Sequence, residues 1–184
     1  MSAWFEFYKD KAFDHTKRLK FSMKYKPFIE ALVKEVSYDQ TVEWGCGTGL
    51  VSIFLSRYRN RLPRILLDID EDVLNLARMN FHRTLPGEEV LFLKHDIRKP
   101  LSGGFGLSHS HGVLEHFGVE ETKKIVSNMR ESSRVVVCYV PTDRYISPSF
   151  GDECLMPPKK WKKLFNPTEM VEFNEGKDLI LTWR

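Results

Sequence analysis

Between Val42 and Leu50 the chain reads Val42-Glu43-Trp44-Gly45-Cys46-Gly47-Thr48-Gly49-Leu50, with glycine at three alternate positions. Glycine there allows a tight turn and lets a ligand approach the main chain closely. Asp68 follows Gly49 by 19 residues, where an acid ending a second strand accepts hydrogen bonds from ribose hydroxyls. The spacing excludes two nucleotide loops. A dinucleotide fingerprint places its third glycine three residues after the second, whereas Gly49 follows Gly47 by two; a P-loop requires Gly-Lys-Ser/Thr, and this loop holds no lysine. No Arg or Lys stands in the loop to meet a pyrophosphate, and Glu43 just ahead of it is an anion suited to a cationic ligand.

A ribose, positive charge and no phosphate are the features of S-adenosylmethionine. The other chemistry-bearing residues cluster downstream, with four of the six histidines between His95 and His116. His111 falls at the end of an expected strand, beside the crevice that open α/β sheets form beyond their strand ends. Its unperturbed pKa suits a general base, and the plainer reading is that it packs against a cofactor or bonds to backbone. Glu115 and His116 resemble metal ligands in type, but a further acid would be wanted where Gly112 stands, so no metal is expected. Cys46 reads as a small residue filling the turn.

These residues need a scaffold. Thr41–Trp44, Arg64–Asp68, 90–93, Phe105–His111 and 134–140 read as short strands. Between them lie helical faces: Leu50 to Tyr58 with Thr48 as cap, Val73 to Phe81, and Val119 to Met129. An earlier helix starts at Pro27, and a short one covers 161–165. Such alternation predicts a parallel sheet with helices on both faces. Residues 168–173 and Asp178–Trp183 form two further strands, and the connection 174–177 is short enough to force an antiparallel pair. The fourth strand is polar for a buried one, with Ser108, His109, Ser110 and His111 in succession.

Taken in order, these segments resemble class I S-adenosylmethionine-dependent methyltransferases. Glu43 to Gly49 resembles motif I, an acid followed after one residue by Gly-x-Gly-x-Gly. Leu67-Asp68-Ile69-Asp70 looks like the ribose-binding acid, and His95-Asp96-Ile97 like the acid at the adenine amino group. Ser110 to His116 is similar to the segment that closes over the methionine end, and Val140-Pro141 follows the fifth strand as in the family. Phe105-Gly106 departs from the frequent Phe-Asp. The resemblance covers roughly residues 38 to 141. It implies a Rossmann-like, mostly parallel seven-stranded sheet with an antiparallel edge strand and helices on both faces. It also implies S-adenosylmethionine as methyl donor, S-adenosylhomocysteine as product, and Glu43, Gly45, Cys46, Gly47, Gly49, Asp68, Ile69, Asp96, Ile97 and His111 at the cofactor.

The chain has 184 residues, 42% hydrophobic and 29% charged, with a net charge of +3. This fits one globular domain with its own core and makes no demand for nucleic acid as partner. Three cysteines without paired spacing and no apolar run long enough to span a bilayer point to a cytoplasmic protein with no membrane partner. Within the single domain of residues 1–184, residues 1–39 read as a helical lid or cap, 40–141 as the cofactor-binding core, and 142–184 as a substrate-side loop and final hairpin. Tyr8, Tyr25, Tyr145, Phe150 and Trp161 are expected to line a hydrophobic acceptor pocket. Lys159, Lys160, Lys162 and Lys163 read as a solvated helix face. The function expected is methyl transfer to an O, N or S nucleophile of a small molecule. The alternatives are RNA or protein methylation and a non-catalytic cofactor- or partner-binding module.

Overall fold

The computed structural model describes residues 2–10, 13–36, 40–58, 62–146 and 152–184. Seven strands form one sheet: β1 (Thr41–Trp44), β2 (Arg64–Asp68), β3 (Val90–Lys94), β4 (Phe105–His111), β5 (Ser133–Pro141), β6 (Glu169–Phe173) and β7 (Asp178–Trp183), in the order β3-β2-β1-β4-β5-β7-β6. The first five run parallel, and β7 runs antiparallel to both β5 and β6. The reversed strand is therefore inserted between β5 and the edge strand β6. Chain order switches direction between β1 and β4, so the loops leaving those two strands diverge and open a crevice at their carboxyl ends.

Seven α-helices accompany the sheet among the described residues: α1 (Ala3–Tyr8), α2 (His15–Lys24), α3 (Lys26–Glu35), α4 (Leu50–Ser56), α5 (Glu71–Thr84), α6 (Val119–Ser132) and α7 (Pro158–Phe165). Ile125, Val126 and Met129 of α6 and Trp161 and Phe165 of α7 pack on one face, against Val42, Trp44, Val136, Leu181 and Trp183. Phe28 and Leu32 of α3 and Phe54 and Leu55 of α4 cover the other, against Leu107, Val137 and Ile180. α5 completes that layer through Leu74, Ala77 and Phe81 over Leu66. Among the described residues no helix is long and apolar enough to cross a membrane.

The polar fourth strand is buried along its length up to His111. Ser108 Oγ accepts from Trp44 Nε1 at 2.9 Å and lies 2.6 Å from Ser133 Oγ, which satisfies it inside the core. His109 has no partner for either ring nitrogen, and burial lowers its pKa to about 3, so it is neutral.

Two expectations are corrected here. Thr48 does not cap α4. Gly49 is the cap residue, at φ 70°, and makes no side-chain bond; the capping oxygen is Glu43 Oε2, which accepts from Ser52 N at 3.2 Å and Ser52 Oγ at 2.5 Å. Trp161 is no pocket residue. It is 1% exposed, 5.0 Å from the Phe165 ring, because α7 turns its apolar face inward and leaves Lys159, Lys160, Lys162 and Lys163 outside. Phe150 lies outside the described residues.

Candidate active site

The loop after β1 is built from left-handed glycines: Gly45 at φ 69°, Gly47 at 52° and Gly49 at 70°. A side chain at any of the three would be strained, and each faces a different neighbour. A Cβ on Gly45 would lie 2.8 Å from Val113, one on Gly47 3.0 Å from the Tyr8 ring, and one on Gly49 3.0 Å from Leu66 in the core. The loop is pinned from below, by Cys46 N to Leu67 O (2.8 Å) and Asn80 Nδ2 to Thr48 O (2.8 Å). Asp68, at the end of β2, accepts from Gly47 N and from Asp70 N, both at 3.1 Å.

Two cavities open along the crevice. The smaller, about 230 Å³, is lined by Gly45, Gly47, Asp68, Ile69, Asp96 and Ile97, with Arg98, Val113 and Phe117 at its border. The larger, about 430 Å³, is bounded by Phe7, Phe21, Tyr25, His111, Tyr139 and Tyr145, together with Lys17, Lys24, Glu115 and Glu153. Trp4, Tyr8, Gly112 and His116 line both. The cavities thus meet under α1, whose Tyr8 stands on Gly47. Trp4 stacks on Tyr8 at 5.9 Å and meets the His116 ring edge-on at 4.9 Å. Ser2 caps α1 through Phe5 N and donates to Asp70.

Burial governs the charges. Desolvation raises Asp68 to about 6 and Glu115 to about 8, the latter helped by the carboxylates of Glu153 and Asp152. Glu115 Oε2 and His111 Nε2 are both buried without a hydrogen-bond partner among the described residues. His111 stacks on Tyr139 at 4.3 Å and meets Tyr25 edge-on at 4.3 Å, and burial lowers it to about 3. It is therefore a neutral hydrogen-bonding group, poorly suited to hold a proton as a general base. Asp96 is tied to Arg98 by two side-chain bonds of 2.9 and 3.0 Å, which hold its pKa below the usual carboxylate range.

The sequence-derived residues divide cleanly. Gly45, Gly47, Asp68, Ile69, Asp96 and Ile97 gather around the smaller cavity; Tyr8, Tyr25, His111 and Tyr145 gather around the larger. Glu43, Cys46, Gly49 and Trp161 line neither. The Glu43 carboxyl sits behind the loop, 3% exposed and raised to about 7 by burial, so it is a helix cap and not an anion presented to a ligand. Cys46 packs in the α5 cluster, its thiol pushed up by desolvation. Lys24, Phe21 and Tyr139 escaped the sequence reading as pocket residues, and Glu115 entered it as a metal-ligand type and as part of the segment that resembles the one over the methionine end. Among the described residues no three His, Cys, Asp or Glu side chains are grouped to hold a metal ion.

A methyltransferase-domain profile matches residues 42–134, from β1 through α6 to the start of β5. The chain belongs to that family. It is an S-adenosylmethionine-dependent methyltransferase, with the glycine loop, Asp68, Asp96 and the His111–Glu115 segment all inside the matched region. No curated protein matches the sequence. Among solved structures, the methyltransferase shares its fold with the PH0226 protein of Pyrococcus horikoshii OT3 at 13% identity, with 97% of this chain and 98% of that one covered and a TM-score of 0.76. It is also similar to the magnesium protoporphyrin IX methyltransferase of Synechocystis PCC 6803 with bound SAH, at 16% identity, 97% and 91% coverage and a TM-score of 0.71. The pyocyanin biosynthetic protein PhzM matches at 16% identity and a TM-score of 0.71, with 97% of this chain and 60% of that one covered.

Proposed function

We propose that this methyltransferase transfers the methyl group to a nucleophilic atom of a small molecule bound in the larger cavity. The observation that carries the reading is the pair of cavities joined under α1. One is edged by the acids of β2 and the loop after β3; the other is an aromatic enclosure of about 430 Å³, a size usual for small-molecule sites. The residues fit the cofactor. Asp68 keeps lone pairs free for the ribose hydroxyls, Asp96 and Ile97 edge the place for adenine, and Gly45 and Gly47 leave their backbone open to close approach. The buried, unpartnered Glu115 carboxyl suits the cationic methionine end.

The bound sulfonium supplies an electrophilic methyl carbon and a neutral thioether leaving group. The acceptor's lone pair forms the new bond as the carbon–sulfur bond breaks, and an acceptor proton passes to solvent. What remains for the protein is alignment and dryness. Tyr25, Tyr139 and Phe21 shape the acceptor space, His111 offers Nε2 as a hydrogen-bond acceptor, and α1 with Trp4 and Tyr8 forms a roof. Residues 1–39 act in this reading as the lid, and the α7 lysines, which line neither cavity, take no part.

Calorimetric titration with S-adenosylhomocysteine, NAD and ATP tests the cofactor half. Saturable binding of the first alone is expected, and equal binding of NAD would remove the argument from glycine spacing. A labelled methyl-transfer screen over pooled metabolites, RNA and protein extracts tests the acceptor half; label entering RNA or protein in place of metabolites would overturn it.

A further inference from the structure

The larger cavity carries its charges at separate places. Glu115 and Glu153 lie on the side of Gly112 and His116, whereas Lys24 lies on the side of α2 and α3. The Lys24 ammonium sits 4.9 Å from the centroid of the Tyr25 ring and 5.1 Å from that of Tyr145. It forms no ion pair with a carboxylate among the described residues, unlike Lys17, which pairs with Asp14 at 3.5 Å. The nearby Asp178 carboxylate is already engaged. It is fully buried and accepts from the Tyr139 hydroxyl (2.7 Å), the Tyr145 hydroxyl (2.6 Å) and Asn174 Nδ2 (2.7 Å). Those bonds fix the Tyr139 and Tyr145 rings at the cavity wall, and the Tyr145 hydroxyl also meets the Lys24 ammonium.

A lining of ring faces takes a flat partner, because offset and edge-on ring contacts lose least when the partner is planar. An ammonium held at the Tyr25 and Tyr145 hydroxyls, with no carboxylate partner among the described residues, takes an anion. The third fixed feature is His111, whose Nε2 is buried and unpartnered while its ring lies 4.3 Å from the same Tyr25 ring that Lys24 approaches. As a neutral imidazole it can accept a hydrogen bond there. Lys24 and His111 are thus both neighbours of one tyrosine, within reach of two substituents on a single aromatic system.

Resting on the proposed small-molecule reading, we propose that the methyl acceptor is an aromatic hydroxy acid. Its ring stacks among Phe21, Tyr25 and Tyr139, its acidic group pairs with Lys24, and the hydroxyl to be methylated donates to His111 Nε2. The acidic side of the cavity then serves the cationic end of the cofactor, and the two ligands complement each other in charge.

The test uses the full chain and begins with S-adenosylhomocysteine alone. Failure of that ligand to bind would sink the cofactor reading itself and this inference with it. With the ligand bound, 3- and 4-hydroxybenzoate, 4-hydroxybenzamide and tyramine are titrated calorimetrically as anionic, neutral and cationic probes of one shape. At least one hydroxybenzoate is expected to bind about tenfold or more tighter than the amide, with the advantage shrinking as salt rises. Lys24→Met should erase that advantage while S-adenosylhomocysteine affinity and the far-ultraviolet spectrum stay as in the parent. Equal binding of acid and amide, preference for tyramine, or an advantage that survives Lys24→Met would each overturn the assignment while leaving the cofactor reading intact.

Discussion

If the cationic end of the cofactor sits at Glu115, as proposed, cofactor affinity should depend on pH in a direction that follows from its burial. Its carboxyl is 4% exposed, Oε2 has no partner, and burial with the nearby Glu153 and Asp152 carboxylates raises its pKa to about 8. Tyr8 from α1 and Cys138 from β5 lie near it as well, both kept neutral by desolvation, and it forms no ion pair among the described residues. A ligand ammonium at this carboxyl requires the ionised form, of which about one part in ten exists at pH 7 for a group titrating near 8. Affinity for S-adenosylhomocysteine should therefore fall about tenfold per unit below pH 8, or about 50-fold between pH 8 and pH 6, with about one proton released per ligand bound at pH 7. Calorimetry in buffers of different ionisation enthalpy reads both quantities. Glu115→Gln keeps the shape without the titration and should flatten the profile from pH 6 to 8. Asp68, raised to about 6, adds about a factor of two at pH 6 and its full slope only below that. Folding raises the Glu115 pKa, so the folded state holds the extra proton between the unfolded and folded values; this contribution to stability falls as pH rises through about 8, and bound ligand should reduce the fall. A wild-type affinity independent of pH between 6 and 8, or a Gln variant with the full slope, would refute the placement of a cationic group at Glu115.

Asp68→Ala should weaken S-adenosylhomocysteine binding by about 1–3 kcal/mol, since a charged acceptor for ribose hydroxyls is lost together with the clamp on Gly47 N; titration that matches the parent would contradict the role. Trp161→Ala should lower stability by about 3–5 kcal/mol in denaturant melts while leaving cofactor affinity close to the parent's under native conditions, because the ring fills the α7 side of the core and touches neither cavity. Removing residues 1–9 should leave the sheet folded by circular dichroism, since no α1 side chain belongs to the core clusters on either face of the sheet. It should speed both association and dissociation of S-adenosylhomocysteine in stopped-flow measurements. Unchanged rates would mean that α1 does not gate the crevice, and an unfolded product would mean that its aromatics belong to the core.

The sheet was legible because short strand-like runs alternate with helical faces, and their edges at Thr41–Trp44, Arg64–Asp68 and Phe105–His111 coincide with the observed strands. The tail was legible for a different reason: a connection as short as 174–177 permits only an antiparallel return. β7's place between β5 and β6 carries no local signal, since it depends on which neighbour offers a free edge. Among site residues, those whose role is set by backbone survive best. Gly45, Gly47 and Asp68 border the smaller cavity because a left-handed turn must follow β1 and a polar residue must end β2. Gly49 meets the same conformational need but faces the core, a distinction φ alone does not make.

Side-chain direction accounts for the remainder. Glu43 and Trp161 have the residue types of a ligand contact and a pocket wall, yet one carboxyl turns under the loop to cap α4 and one indole turns inward with the apolar face of α7. Conversely, Lys24 reads in sequence as one of many lysines in a basic segment. Only the folding of α2 and α3 against β4 and β5 sets it beside Tyr25 and Tyr145, while Asp178 fixes the Tyr139 and Tyr145 hydroxyls. The crevice is thus made by two kinds of information. The cofactor half is written in backbone conformation along a contiguous stretch, which is why a family profile covers it. The larger cavity is assembled from segments as distant as α1, α2 and β5, so its chemistry emerges from packing, and on the proposed reading substitutions there should change the acceptor without disturbing the glycine loop.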